Sequence, residues 1–199
     1  MRRIIKAKEL HTVGTVACAR WLLGKMLVRQ RPDGALDSRM ITEVEAYDGE
    51  RDLACHARAG RTARTAPLYE AGGIWYVYLC YGIHEMLNLV VGPKDWPAAV
   101  LIRGVAGVHG PGRVTKGLEI DRALNGVPVE PGSGLWLEDH GVNVSRKRIQ
   151  RTPRIGVDYA GIIWSNKLWR FVLTDPAGGK LEPLARPKSV NAAIARVTR

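Results

Sequence analysis

Residues 43–47, Glu-Val-Glu-Ala-Tyr, end a run whose alternation is typical of a half-buried strand. Since successive side chains of a strand point to opposite faces, the two glutamates should share a face with Tyr47, while Val44 and Ala46 point to the other. Two carboxylates and a phenol on one face are more than packing requires. Carboxylates in this arrangement can act as general bases or bind a metal ion, so the pattern predicts a functional site on this strand.

Arg103 ends an otherwise apolar run that begins at Ala98. Because an unpaired buried charge costs several kcal/mol, this side chain should reach either water or a carboxylate. Glu45 is the candidate partner. The alternative is an arginine at a strand end whose charged head extends into water.

Tyrosines are concentrated in residues 76–81, where Tyr76 and Tyr78 share one face of a second strand and Tyr81 lies near a predicted turn. Tyrosines in a basic protein can stack on nucleic-acid bases, although packing within a sheet is their more common role. Asn88 lies between two leucines of the next strand. Its amide must therefore either find hydrogen-bond partners or take part in recognition.

The charge of the chain is strongly positive and unevenly distributed. Lys and Arg number 30 against 19 Asp and Glu, which gives a net charge of +11. Residues 141–199 hold 12 of the basic and 3 of the acidic residues, so +9 of that charge lies there. Such a basic region favours a polyanionic partner, most often nucleic acid, over a merely solvated surface.

Other patterns disfavour several classes of protein. No run of eighteen apolar residues occurs, and charge returns soon after Met1, which predicts neither a transmembrane helix nor a signal peptide. The three cysteines are far apart, which disfavours zinc, an iron–sulfur cluster and a redox pair. His84-Glu85 resembles the start of a zinc protease signature, but Asn88 replaces its second histidine. No metal and no cofactor are therefore expected.

Periodicity and turn signals predict a mixed α+β domain built around an antiparallel sheet. Helices are predicted at 10–24 and 113–124. Strands are predicted at 25–29, 39–47, 74–79, 85–91, 98–103, 135–138 and 169–173. Residues 48–73, with at most one short helix, and the remaining basic C-terminal segments are predicted to be loops.

Several short motifs follow one another in one order. They are Glu43-Val44-Glu45-Ala46-Tyr47, His56 eleven residues after Glu45, Tyr76-Val77-Tyr78-Leu79-Cys80-Tyr81-Gly82, Leu87-Asn88, Val100-Leu101-Ile102-Arg103, Gly110-Pro111-Gly112-Arg113 and Arg154-Ile155-Gly156-Val157-Asp158-Tyr159-Ala160-Gly161. Over roughly residues 8–175 the chain resembles the alkyladenine (3-methyladenine) DNA glycosylase family. The resemblance implies one domain over residues 1–199, with a curved antiparallel sheet core, flanking helices and a protruding β-hairpin.

The resemblance implies a set of roles at the reacting bond. Glu45 would activate the water that cleaves the N-glycosidic bond, and Arg103 would help to hold that water together with a backbone carbonyl near Ile155. Glu43 is assigned no role, so it is expected to be structural or to face solvent. An arginine about 4 Å from Glu45 should favour the ionised carboxylate.

The same resemblance implies a base pocket. Tyr47 and Tyr78 would stack on either side of the flipped base, and His56 would hydrogen-bond to it. Asn88 would exclude the exocyclic amine of guanine, and Tyr81 would enter the duplex where the base has left. An electron-rich sandwich of this kind favours a cationic, alkylated base by cation–π attraction.

The implied function is that of a monofunctional DNA glycosylase, which releases an alkylated or deaminated purine from double-stranded DNA and so starts base excision repair. No lysine matches a Schiff-base nucleophile, so strand cleavage is not expected. A monomer is expected, in a bacterial cytoplasm with the nucleoid or in a nucleus. The chain departs from the family pattern at Thr65, Leu68-Tyr69 and Ile162, which bears on loop packing and lesion preference.

Phosphate contacts are expected from basic residues outside the pocket motifs, namely Arg113, Lys116, Arg146, Lys147, Arg148 and Arg151. Two alternatives to a glycosylase stay open. Clustered acids at Glu43, Glu45 and Asp48 or Asp52 also permit a metal-dependent nuclease. The second alternative is a non-catalytic nucleic-acid-binding module, because the family shares its fold with a formyltransferase C-terminal domain that lacks the site. The joint occurrence of Glu45, Arg103 and the Tyr47/Tyr78 pair disfavours that module.

Overall fold

A computed structural model of the chain describes residues 2–11 and 14–174. The strands are β1 (Arg3–Ile4), β2 (Met26–Gln30), β3 (Leu36–Asp48), β4 (Trp75–Cys80), β5 (His84–Val90), β6 (Ala98–Val105), β7 (Val108–His109), β8 (Leu135–Asp139), β9 (Ile149–Thr152) and β10 (Arg170–Leu173). The α-helices are α1 (Thr15–Leu22), α2 (Pro111–Gly117) and α3 (Gly161–Ser165). The predicted α+β class is confirmed. None of the helices in the described part of the chain has the length and apolar character that a membrane span needs.

The strands of the described residues form one antiparallel sheet in the order β1-β8-β2-β3-β6-β5-β4, with β10 on β3 and β9 on β10. The long strand β3 changes partner along its length. Its residues 36–40 pair with β2, and its residues 43–45 pair with β10, while β6 runs along its other edge from residue 41 to 48. Glu45 is therefore held between Leu101 of β6 and Arg170 of β10.

One face of this sheet carries the main hydrophobic core. Val44 and Ala46 are fully buried there, together with Ile102 of β6 and Phe171 of β10. The predicted alternation along residues 43–47 is thus confirmed for the apolar residues of the motif. Because those side chains occupy the core face, the glutamates and Tyr47 project from the other side of the strand.

Both long helices predicted from the sequence are shorter in the structure. The first covers 15–22 rather than 10–24, because it begins only after Gly14. The second begins at Pro111, since proline is well tolerated at the first position of a helix, and it ends at Gly117. Glu119, at a φ of +51°, lies in the left-handed region, so the chain cannot continue as a helix to 124.

Two corrections concern segments predicted to be loops. Residues 149–152 form β9 and residues 161–165 form α3, both in the basic C-terminal part of the chain. β9 exists because it pairs with β10, about twenty residues later, and four residues are too few to show a period. Residues 48–73 hold two short 3₁₀ turns, at His56–Ala59 and Ala66–Tyr69.

Candidate active site

Glu45 is fully buried, and both of its carboxylate oxygens accept hydrogen bonds. The backbone N–H of Ile155 donates to Oε1 at 2.8 Å, and the hydroxyl of Tyr47 donates to Oε2 at 2.7 Å. Nε of Arg103 lies 3.4 Å from Oε1. The partner predicted for Arg103 is therefore confirmed, whereas the Ile155 amide was not foreseen. The predicted contact of Arg103 and a carbonyl with a water stays a prediction.

The electrostatic surroundings of Glu45 have opposing effects. Burial raises the pKa of this carboxyl, and Arg103, the Ile155 N–H and the Tyr47 hydroxyl lower it by smaller amounts. The sequence correctly predicted that Arg103 favours the ionised form, but burial outweighs it. A carboxylate with a raised pKa accepts a proton more readily, which suits a general base.

Glu43, which was expected to be structural or to face solvent, is buried and bound by two arginines. Nε of Arg103 donates to Glu43 Oε1 at 3.0 Å, and Nε of Arg170 donates to the same oxygen at 2.6 Å. The solvent-facing alternatives for Glu43 and for Arg103 are therefore wrong. Arg170, on β10, was missed because nothing in its local sequence links it to residue 43.

A cavity of about 470 Å³ opens beside these groups, within the usual size of small-molecule pockets. It brings together all the residues predicted for the base pocket and the wedge, with Arg103; these are Tyr47, His56, Tyr78, Tyr81, Asn88 and Arg103. Glu45 does not line the cavity itself. It lies beneath the lining, in contact with Tyr47, Arg103 and Ile155, which all line the cavity. Tyr76 and Tyr159 complete the aromatic lining and were not predicted as pocket residues.

His56 is neutral in this cavity. Burial, followed by the charges of Arg64 and Arg58, lowers its pKa to about 4. Its Nδ1 lies 3.0 Å from the hydroxyl of Tyr76, and that phenol oxygen accepts a hydrogen bond from Arg64. The Tyr76 hydrogen is then directed to Nδ1 of His56, which favours the tautomer with its own hydrogen on Nε2. In that tautomer His56 can donate a hydrogen bond from Nε2.

Asn88 is held in one orientation at the cavity wall. It is buried, and its Nδ2 donates to the carbonyl oxygens of Tyr76 and Met86, both at 3.2 Å. An amide fixed at both hydrogens cannot rotate away from an incoming group. It therefore forms a rigid part of the wall, as the predicted role in exclusion requires.

Tyr81 lies at the tip of the β4–β5 hairpin, where the sequence placed it, and 87% of it is exposed. Its backbone is in the left-handed region, with φ of +51°, and Gly82 follows at +71°. Ile83 is also exposed at this tip. A tight turn in which a bulky residue takes this conformation directs its side chain outward at the mouth of the cavity, which Tyr81 also lines.

The six predicted phosphate contacts lie in two groups. Arg113 and Lys116 are exposed on α2, the helix that starts with the cavity-lining Pro111. The remaining four belong to a 3₁₀ turn at 146–148 and to β9; Arg146, Lys147 and Arg151 are exposed and Arg148 is half-buried. The rest of the basic C-terminal region, from residue 175, lies outside the described residues.

A family model described as methylpurine-DNA glycosylase (MPG) matches residues 9–110 and 106–177. The chain belongs to the methylpurine-DNA glycosylase family. The family and the enzyme class predicted from the sequence, a DNA N-glycosylase, are confirmed, and DNA is the substrate of this class.

Individual relatives agree with the family assignment. The chain is 38% identical over 187 residues to the DNA-3-methyladenine glycosylase of Arabidopsis thaliana, covering 84% of this chain and 70% of the relative. It is 43% identical over 192 residues to a protein of Psychrobacter cryohalolentis that is provisionally named a 3-methyladenine DNA glycosylase, covering 81% and 88% respectively. A similarly named protein of Methanocella arvoryzae is 42% identical over 184 residues, covering 82% and 90%.

Proposed function

We propose that this family member is a monofunctional glycosylase, which flips an alkylated or deaminated purine out of duplex DNA and hydrolyses its N-glycosidic bond with a water activated by Glu45. The observation that carries the proposal is the buried Glu45 beneath an aromatic cavity, hydrogen-bonded to Tyr47 and paired with Arg103. Release of the base would leave an abasic site, the starting point of base excision repair.

The reaction needs one general base, which accepts a proton, and one nucleophile, which is water. The C1′–N bond breaks with its electron pair leaving on the purine, and the sugar develops oxocarbenium character that a nearby carboxylate stabilises. Water adds its oxygen to C1′ and gives its proton to Glu45. The raised pKa of Glu45 supports this role, because burial makes the carboxylate a stronger proton acceptor.

The aromatic lining supports recognition of an electron-poor base. Tyr47 and Tyr78 present electron-rich rings to the cavity, and a base alkylated on a ring nitrogen is cationic, so it is favoured by about 1–2 kcal/mol. Neutral deaminated purines lack that attraction. The Nε2 hydrogen of His56 would serve them as a hydrogen-bond donor, while Asn88 excludes a base that carries guanine's exocyclic amine.

Flipping requires that a side chain stabilise the gap in the duplex. Extruding a base costs a few kcal/mol, and an inserted residue offsets part of that cost. The exposure of Tyr81 at the hairpin tip, at the mouth of the cavity, supports its assignment as the wedge. We infer that the chain acts on DNA as a monomer, because one chain supplies the candidate base Glu45, the cavity lining and the wedge Tyr81.

The chemistry of the cavity supports hydrolysis without strand cleavage. A lyase step needs an amine that forms a Schiff base with the sugar. Within the described part of the chain, the residues that line the cavity include no lysine. The proposed product is therefore an intact strand with an abasic site.

The alternative of a metal-dependent nuclease is disfavoured by the partners of its acids. Glu43 is bound by two arginines, and Asp52 forms a buried ion pair with Arg154. Asp48 accepts hydrogen bonds from Thr15 and from Trp96. Carboxylates occupied in this way would have to exchange those partners to hold a cation.

Base release from defined DNA tests the proposal. Duplexes that each carry one lesion, either 3-methyladenine, 7-methylguanine, hypoxanthine or ethenoadenine, are incubated with excess enzyme and a chelator, and free base and strand integrity are measured. The expected result is base release without strand breaks, slowest from 7-methylguanine, which carries the exocyclic amine that Asn88 is proposed to exclude. Binding without release would favour the non-catalytic module, and strand cleavage abolished by the chelator would favour the nuclease.

A further inference from the structure

Arg154 and Asp52 form an ion pair that is entirely shielded from solvent, next to the candidate active site. Two parallel hydrogen bonds join them, from Nη1 to Oδ2 at 2.5 Å and from Nη2 to Oδ1 at 2.8 Å, and both side chains are fully buried. Replacing such a pair with apolar side chains is often neutral for stability, because burial strips both charges of water. Stability alone therefore does not account for the pair.

Arg154 contacts the residues on both sides of the Glu45 carboxylate. Its Nη1 also donates to the carbonyl oxygen of Ala46, at 2.9 Å. Its guanidinium carbon lies 4.8 Å from the centre of the Tyr47 ring. The next residue in the chain, Ile155, is the one whose N–H donates to Glu45. The Arg154 side chain thus contacts the backbone of the motif strand and the ring of Tyr47, and its own backbone directly precedes the amide that binds Glu45.

The guanidinium is also fixed from the opposite direction. Its Nη2 donates to the carbonyl oxygen of Trp164 at 3.2 Å, and the ring of Trp169 lies 5.2 Å away. Asp52 is itself held by the backbone N–H groups of Asp48 and Ala54. These contacts hold both Nη groups of Arg154, while its Nε is buried without a hydrogen-bond partner among the described residues, so the close-packed surroundings favour this one rotamer.

We propose that the Arg154–Asp52 pair is a positioning device for base release, which holds the ring of Tyr47 against the cavity and the Ile155 amide on Glu45. The inference rests on the proposed function of Glu45 and Tyr47. Arg154 does not line the cavity; it acts through Tyr47, which does, and through Ile155, which binds Glu45. The same position also brings its positive charge near Glu45, where it favours the carboxylate.

The variant that tests the device removes both charges together. Asp52→Leu combined with Arg154→Met leaves no unpaired buried charge, which removal of one partner would do. The control is Lys25→Met, which breaks a largely buried ion pair with Asp139 on β8 and does not line the cavity. Asp139 keeps Arg3 at 3.5 Å, so this single change also leaves no charge without a partner. Far-UV circular dichroism and thermal unfolding establish that each variant is folded.

Two measurements separate positioning from mere structural support. The chemical shift of the Ile155 amide, followed against pH in ¹⁵N-isoleucine-labelled protein, reports protonation of Glu45. In the double variant this titration should move to higher pH, because the carboxylate loses the Arg154 charge and a well-placed N–H donor. Single-turnover base release should fall by roughly 10- to 100-fold, with the acid limb of the pH profile displaced in the same direction.

Lys25→Met should leave the Ile155 titration and the pH profile unchanged. The proposal is overturned if the double variant keeps the wild-type Ile155 titration and the wild-type acid limb of the pH profile, and differs only in a smaller active fraction. If the double variant does not fold, Arg154→Lys replaces it. Lysine keeps a cation opposite Asp52 but has one nitrogen in place of the two that bond Asp52 in parallel, so a slower rate and a displaced Ile155 amide signal are expected. Wild-type values for both in that variant would overturn it equally.

The titration also separates this inference from the proposed function. If the wild-type protein releases no base from any lesion, the proposed function fails. The displacement of the Ile155 titration would still show whether the pair positions that amide on Glu45. If the wild-type protein is active and the double variant matches it in rate and titration, only the positioning role fails.

Discussion

Glu43 and Glu45 share one guanidinium. Nε of Arg103 lies 3.0 Å from Oε1 of Glu43 and 3.4 Å from Oε1 of Glu45. Glu43 has a second cation in Arg170, whereas the closest other donors to Glu45 are the neutral hydroxyl of Tyr47 and a backbone N–H. Two carboxylates two residues apart therefore differ in charge balance: two arginines bind Glu43, whereas Arg103 is the one arginine of the described residues within 4 Å of Glu45.

Replacing the proposed base should abolish chemistry but not binding. We expect Glu45→Gln to lose at least the roughly 10²–10⁴-fold that removal of a general base usually costs, because the amide cannot accept a proton from water. The shape of the side chain is preserved, so lesion DNA should still bind. Single-turnover base release and an equilibrium binding assay measure the two effects. Release at a near-normal rate would be incompatible with the assignment.

The matched control is Glu43→Gln. This change leaves Arg103 without its closer carboxylate, so the arginine should pair more fully with Glu45 and lower its pKa. We expect a much smaller loss of rate than in Glu45→Gln, with the acid limb of the profile moved to lower pH. Equal losses in the two variants would leave the carboxylates undistinguished and the proposed base unsupported.

The pH dependence of base release should report Glu45. Since only the carboxylate accepts a proton, the rate should fall as the pH drops through the pKa of Glu45, which burial places above the ordinary glutamate value of about 4.3. His56 should add no limb between about pH 5 and 8, because its pKa of about 4 leaves it neutral there. Arg103→Gln removes the largest opposing charge, so its acid limb should lie at higher pH.

This profile is measured under single-turnover conditions on a lesion whose own charge does not change over the range. The histidine part can be checked separately from the ring resonances of His56. An acid limb whose midpoint lies at or below the ordinary glutamate pKa would contradict the raised pKa of Glu45. A shift to lower pH in Arg103→Gln would contradict the contribution assigned to the arginine.

Sequence patterns located the site but not what surrounds it. The alternation in residues 43–47 and the turn at Tyr81 depend on neighbours in the chain, so both could be predicted. The partners of the site come from far away: Arg170 is 127 residues from Glu43, and the Ile155 amide is 110 residues from Glu45. A period shows which face a side chain occupies and carries no information about which distant residue meets it there.

The wedge at the hairpin tip should be most important where unpairing is most costly. Tyr81→Ser removes an exposed ring and leaves the turn, so the fold should be retained. We expect base release to slow more on a lesion in a matched pair than on the same lesion opposite a mismatch, since unpairing costs less there. Gly82 is left in place because it also has positive φ. Equal slowing on both duplexes would indicate that Tyr81 only packs.

The exposed basic residues near β9 should bind phosphates without reading sequence. Arg146, Lys147 and Arg151 are exposed, so changing all three to Ser should leave the fold intact. Each lost contact should reduce the slope of log affinity against log salt by about 0.9, and three contacts by about 2.7. Binding to lesion and undamaged DNA should weaken alike, because phosphate contacts position a protein without specifying bases.

The rate of base release shows whether Arg146, Lys147 and Arg151 act in DNA binding alone. With enzyme in saturating excess, the triple variant should release the base at the wild-type single-turnover rate, because none of the three residues lines the cavity. Arg113→Ser with Lys116→Ser on α2 provides a parallel test of the second group, with an expected reduction of about 1.8 in the slope. An unchanged salt slope would mean that the residues concerned form a solvated surface. The contacts with DNA phosphates would then have to come from elsewhere in the chain.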